Sequence, residues 1–290
     1  MLDNNGLTKS KLQTNADLVD VVRARAPWRL HCAVRLGISV PLVLFLVGAV
    51  IGALDQQQVD FPIVKFLNSF AHRSQLLDKT MHAMTTLVLL QGAVFIALIW
   101  YLWFAFADIE ARGRLLAATL TAALAGALSR VLQLLLPSHL RPLHTPQLDF
   151  VLPFDVDPNT LNHFNSFPSD HGVVFFGLSA MIYRLSPKLG IAAFVWATAI
   201  DVARVYDGYH FPSDIIGAAG LGLLMVHLSQ SQPVHRLACR TLTLERRYRP
   251  VFYMFAFLAT YQVASLFDDV RELGTLFAGV ILHHDRFVGG

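Results

Sequence analysis

The sequence predicts an all-α polytopic membrane bundle of seven apolar segments, the last of them C-terminal. Three observations carry that expectation. Of the 290 residues, 54% are hydrophobic and 15% charged, well below the roughly 25% charged of a soluble domain. The apolar residues fall in blocks: Leu36–Leu54 and Met84–Ala107 contain no charged residue, and about 20 apolar residues cross a bilayer core. The ionisable residues with chemical potential collect at the ends of these blocks. Together these features exclude a soluble globular enzyme, a disordered chain and a disulfide scaffold. Cys32 and Cys239 are far apart and lack metal-ligand spacing. A net charge of +3 is too small to point to nucleic acid.

Residues 1–30 are polar and lack the short apolar core and small-residue cleavage site of a signal peptide. They are expected to form a cytoplasmic tail, with a surface helix over Ala16–Ala26. A membrane core is expected over 31–230, and a basic cytoplasmic loop, an extra span and a tail over 231–290. Seven apolar segments follow one another: Leu36–Leu54, Met84–Ala107, Leu115–Leu136, Pro168–Leu185, Leu189–Tyr206, Pro212–Leu228 and Val251–Phe267. The fourth and sixth reach spanning length only when their polar first turns, Pro168–His171 and Pro212–Asp214, are counted as helix. Between the first two segments, Phe66, Leu67, Phe70, Leu76, Leu77 and Met81 interleave with Lys65, Arg73 and Lys79, the pattern of an interfacial helix rather than a span.

Alternating sides from a cytoplasmic N-terminus puts 15 of the 23 lysines and arginines inside. That bias predicts the 137–170 and 206–213 loops on the outer face. The same alternation brings the ends of segments three to six to one side. They carry Arg130, Arg141, Ser169, Asp170, His171, Arg204, His210, Ser213 and Asp214. Ionisable groups at membrane depth are costly and usually functional. Three guanidiniums suit a phosphate dianion, and helix starts at Pro168 and Pro212 add backbone N–H donors. The quartet Phe-Pro-Ser-Asp occurs at both starts, so the sequence predicts the same helix start built twice. His210 and Asp214 are four apart, so the carboxylate can hold one ring nitrogen and leave the other free to attack phosphorus. His171 can protonate a leaving oxygen. No metal-ligand spacing is present, and no cofactor is expected. His139, His144 and His163 lie in the same loop without motif support and are left outside the expected site. Asp201, one turn before Arg204, is expected to partner an arginine.

Arg141-Pro142, Pro168-Ser169-Asp170-His171 and Arg204-x5-His210-x3-Asp214 resemble, in order and spacing, the three-part signature of the type-2 phosphatidic acid phosphatase (lipid phosphate phosphatase) superfamily. The resemblance covers roughly residues 64–230. It implies that His210 is the nucleophile, forming a phosphohistidine, with Asp214 orienting it and His171 as general acid. It further implies a six-helix phosphatase core, to which the seventh segment is an extra C-terminal span, and that Arg141, Arg204 and Ser169 hold the phosphoryl oxygens, in a metal-independent site at the outer surface of the membrane acting on lipid phosphates. The chain departs from the pattern at three places. Leu134 stands where the signature has lysine, and Arg130, one turn earlier, is the candidate substitute. Asp170 replaces a glycine and is grouped with the phosphate-binding residues. Ala203 replaces a serine. The expectation is a lipid phosphatase of a bacterial inner membrane, with the bilayer and a lipid phosphate as its partners. A lipid phosphotransferase and a non-catalytic lipid-phosphate binder or transporter are the alternatives.

Overall fold

The computed structural model describes residues 27–106, 108–137, 139–161, 165–266 and 268. The expected surface helix over Ala16–Ala26 and His163 lie outside these residues. Ten α-helices occur among the described residues, and no strand. They are α1 (Pro27–Val50), α2 (Gln56–Asn68), α3 (Gln75–Thr86), α4 (Val94–Ala105) and α5 (Ile109–Leu135). Then come α6 (Asp170–Leu185), α7 (Pro187–Tyr206), α8 (Pro212–Ser229), α9 (Gln232–Arg247) and α10 (Arg249–Ala264). The chain divides into two units, Met1–Val40 and Pro41–Gly290. Of the first, residues 27–40 are helical backbone, and everything below concerns the second.

Helices α5, α6, α7 and α8 make the centre. Their core centres on Phe95 stacked on Phe175, with centroids 4.7 Å apart, and on Leu178, Met181, Ile182 and Ile200. Small residues set the closest crossings. A Cβ added to Gly222 would lie 2.2 Å from the Val173 carbonyl oxygen, so α6 and α8 touch backbone to backbone. A Cβ on Gly48 would likewise come within 2.5 Å of the Gly217 nitrogen, which seats α1 against α8. Lipid tails are as apolar as leucine, so contact through small residues is what holds such helices together. Outward faces are apolar: Leu42, Val43 and Leu46 on α1, and Phe255, Phe257 and Leu258 on α10, are exposed.

Four helices are long and apolar enough to cross a bilayer among the described residues, beginning with Gly37–Asn68 and Ile109–Leu135. Four of the sequence expectations change. The second segment is not one straight span. Leu87 is extended, and α3 meets the Leu89–Ala105 helix at 73°. Of the 55–83 stretch, expected as an interfacial helix, the first part instead continues the first span, because α1 runs through one π-helical turn, Ile51–Asp55, directly into α2. The two Phe-Pro-Ser-Asp starts differ in register. Helix α8 begins at Pro212, but α6 begins two residues later in the quartet, at Asp170, leaving Pro168 outside. The basic stretch after segment six is helical: α9 buries Ala238, Leu242 and Glu245 and points its arginines elsewhere.

Candidate active site

Helix α7 delivers Arg204 in its last turn. The chain then reverses through Asp207-Gly208-Tyr209, where Gly208 sits at φ 77°, a conformation glycine adopts without steric cost. Tyr209 N–H donates to the Arg204 carbonyl at 2.8 Å. That turn places His210 just before α8, and Asp214 falls in the first turn of α8, where its Oδ2 accepts from the Phe211 N–H at 2.7 Å. His210 and Asp214 are both fully buried.

The ring of His210 has a defined tautomer. Its Nδ1 lies 2.9 Å from the Ser166 carbonyl oxygen and 3.5 Å from Asp214 Oδ2. A carbonyl only accepts, so Nδ1 carries the proton. Nε2 faces two guanidinium nitrogens, Arg141 Nη1 at 3.4 Å and Arg204 Nη2 at 3.3 Å, and these only donate. The Nε2 lone pair therefore points at the cationic cup. Burial pushes the imidazole down to about 4, and the Arg141 and Arg204 cations act in the same direction against Asp214. The ring is neutral at pH 7 and keeps its lone pair.

Arg141 is anchored from behind, donating to the Tyr209 carbonyl at 2.5 Å and the Asn165 carbonyl at 3.1 Å. Burial, then the neighbouring Arg204 charge, lowers its pKa to about 10, so it remains a cation. Arg204 lies 5.5 Å from the Tyr209 ring centroid, and its buried Nε–H has no acceptor among the described residues. Such a donor suits an incoming phosphoryl oxygen. A cavity of about 320 Å³ opens above, walled by Arg130, Arg141, Arg204, Asp170, His171 and Tyr209. Arg130 is steered there by Gln133, which accepts from its Nη1 at 2.7 Å and donates to the Pro168 carbonyl at 2.7 Å.

The two quartets do different work. Ser169 caps α6, accepting from the Gly172 N–H at 3.2 Å, and is fully buried. It is not among the residues lining the cavity. Ser213, its counterpart, instead gives its N–H and hydroxyl to Asp60 of α2, at 2.9 and 2.6 Å. Asp170, grouped from sequence with the phosphate ligands, is the carboxylate of His171. Its Oδ1 lies 2.9 Å from His171 Nδ1 and accepts the His171 N–H at 2.9 Å. A carboxylate beside a phosphate is repelled, and one held against an imidazole orients it. His210–Asp214 is thus a buried His–Asp pair, and His171–Asp170 is one on the cavity wall. Asp201 lies buried against Gly172, within electrostatic reach of Arg204.

Sequence reasoning missed three contributors. His139, set aside as a loop histidine, stands 3.5 Å from Asp214 Oδ1 through its Nδ1. The same nitrogen is 2.5 Å from Ser166 Oγ, and its Nε2 is 3.2 Å from the Gly52 carbonyl. Ser166 thus serves both histidines, one through its carbonyl and one through its hydroxyl. Asp60 is fully buried in α2, and the only cue to it was a carboxylate inside an otherwise amphipathic stretch. His144 stays outside, paired with the Thr160 carbonyl at 3.0 Å. Among the described residues, no three His, Cys, Asp or Glu side chains converge with metal-binding geometry.

Comparison with known proteins reaches the same region. The sequence pattern of the PAP2 superfamily matches residues 115–236, which include every residue of the cup. The bacitracin transport permease protein BcrC of Bacillus licheniformis is 33% identical over 90 residues, 31% of this chain and 41% of that protein. The undecaprenyl-diphosphatase BcrC of Bacillus subtilis (strain 168) is 24% identical over 168 residues, 58% of this chain and 80% of that protein. The crystal structure of a transmembrane PAP2 type phosphatidylglycerolphosphate phosphatase from Bacillus subtilis shares 24% identity at a TM-score of 0.48. The match covers 68% of this chain and 94% of that one. Residues 115–236 of the chain thus match the PAP2 superfamily, and the buried histidine–aspartate pair and the two arginines that face it lie inside that segment.

Proposed function

We propose that this protein hydrolyses a phosphomonoester or diphosphate carried on a lipid, through a phosphohistidine at His210. One observation carries the reading: the proton of His210 is held on Nδ1 by a carbonyl, and the Nε2 lone pair faces Arg141 and Arg204. A phosphoryl group entering the cup takes over the guanidinium donors that now face Nε2. Nε2 then forms a bond to phosphorus as the bond to the leaving oxygen breaks in line. His171, held by Asp170, gives its proton to that leaving oxygen. Arg141 and Arg204 neutralise the charge on the equatorial oxygens, with Arg130 adding a third cation in place of the signature lysine. As Nδ1 turns cationic in the phosphorylated ring, Asp214 balances it. In the second step His171 takes a proton from water, the water oxygen bonds to phosphorus, and the N–P bond breaks to release inorganic phosphate.

The undecaprenyl-diphosphatase named above supports a polyprenyl diphosphate as one substrate to try first. The arginine and lysine bias along the chain supports an N-terminus in the cytoplasm and a site on the outer face. His210→Ala is expected to abolish phosphate release from a lipid phosphate while the purified protein keeps its helical circular dichroism. A folded variant working at the parent rate would refute the assignment.

A further inference from the structure

A second cavity adjoins the polar one, and Arg130 and Asp170 belong to the walls of both. It measures about 260 Å³ and is otherwise lined by Gly126, Ala127, Val131 and Leu134 of α5, Val174 of α6, and Leu266. The α5 residues recur at helical spacing, so they form one stripe along the helix. From Gly126 to Leu134 that stripe is about 12 Å long at 1.5 Å per residue, with Arg130 at its middle. From the cationic wall the groove therefore runs about 6 Å along the α5 axis to Gly126, the axis of a helix apolar and long enough to cross a bilayer. Its far end is built from the smallest side chains. At Gly126 a Cβ would already lie 2.8 Å from Val174 Cγ2, so any larger residue there must fill the groove or push Val174 aside.

The outer wall comes from outside the superfamily segment. Leu266 follows α10, and Ala264 and Ser265 of the same turn line the polar cavity, whereas the superfamily match ends at 236. The turn is held in place where Gly92 meets Ala264 so closely that a Cβ would fall 2.1 Å from the Ala264 carbonyl oxygen.

We propose that this groove seats the first stretch of the substrate's tail as a single hydrocarbon chain, and that the end of α10 selects that chain. The inference rests on the lipid phosphatase reading and adds where, and how many at a time, the tails bind. The continuity of the two cavities through Arg130 and Asp170 identifies the occupant as the chain attached to the phosphate in the cup.

The test measures affinity for non-hydrolysable alkyl phosphonates, from butyl to hexadecyl, and in parallel the hydrolysis of the matching alkyl phosphates. The parent protein is expected to bind more tightly as the chain lengthens, until the groove is full. Gly126→Leu is expected to remove about tenfold or more of the long-chain affinity, the worth of two displaced methylenes, and to leave butyl binding near the parent value. Leu266→Trp, which fills the groove from the opposite wall and leaves the α5 sequence unchanged, is expected to do the same. Leu124→Trp, on a bilayer-facing position of the same helix, should retain the full chain-length gain. A chain-length gain that survives both groove variants, or butyl and hexadecyl affinities that fall together, would overturn the groove. Chain-dependent binding without phosphate release in the parent would leave the groove standing and remove the phosphatase reading instead.

Discussion

His210 owes its chemistry to what each ring nitrogen meets. A carbonyl at Nδ1 fixes the proton, guanidiniums at Nε2 draw the lone pair outward, and burial keeps the ring neutral near pH 7. Asp214 does not stand against His210 alone, because its other oxygen faces His139. In the proposed mechanism His139 is therefore a positioning residue acting through Asp214 and Ser166. His139→Phe is expected to lower kcat about tenfold or more, the scale of one hydrogen bond to a charged group, and to change KM little. His139→Gln, which keeps a donor, should recover part of the loss. Steady-state kinetics on one lipid phosphate checks this, and a KM rise with unchanged kcat would assign His139 to substrate binding instead. That Arg130, Arg141, Arg204, His171, His210 and Asp214 would meet was readable, because their positions at the ends of alternating apolar segments bring them to one side. His139 was not, because nothing in a single histidine after Pro137-Ser138 says that the Gly52 carbonyl on the first span will hold its far nitrogen.

At the scale of elements, identical quartets yield unlike helix starts because their surroundings differ. Around α6, Ser129 and Gln133 of α5 take the Pro168 carbonyl, and the helix is left to begin at its Ser169 cap. Around α8, Asp60 claims both donors of Ser213, so capping falls to Asp214, which thereby stands beside His210. Asp60→Ala leaves a buried N–H and hydroxyl unpaired, and is expected to cost about 1–3 kcal/mol, read as a lower Tm in detergent. An unchanged Tm would mean that the α8 start does not lean on α2. Helices α2 and α3 also bracket the outer loop. Asn68 exchanges hydrogen bonds with Val151 at 2.6 and 2.9 Å, and Asp78 accepts from Phe154 N–H at 3.1 Å and from the Tyr206 hydroxyl. The amphipathic pattern of 55–83 announced helices with a wet face, but not that Asp60, Asn68 and Asp78 on that face are spent on the site's scaffold. The break at Leu87 was equally hidden, since an apolar run reads the same whether straight or bent.

Across the whole molecule, helices packed backbone to backbone through glycine bring four polar ends to one side, and those ends make a cationic cup that no single segment could. Composition and block length were enough to read the helical class, and charge bias suggested a sidedness. The place of the seventh segment was not legible, because nothing in the residues of its turn Ala264–Leu266 says that they share cavity walls with Arg130 and Asp170. The central claim is that phosphorus bonds to one nitrogen in this cup. The most direct measurement is a rapid-quench experiment with lipid substrate labelled in its phosphoryl group, followed by peptide mapping under alkaline conditions, where phosphohistidine survives. The label is expected on the peptide holding His210, absent in His210→Ala and accumulating in His171→Ala when the leaving group is good. Label on a serine, or full turnover with no label on the protein at any time, would contradict it.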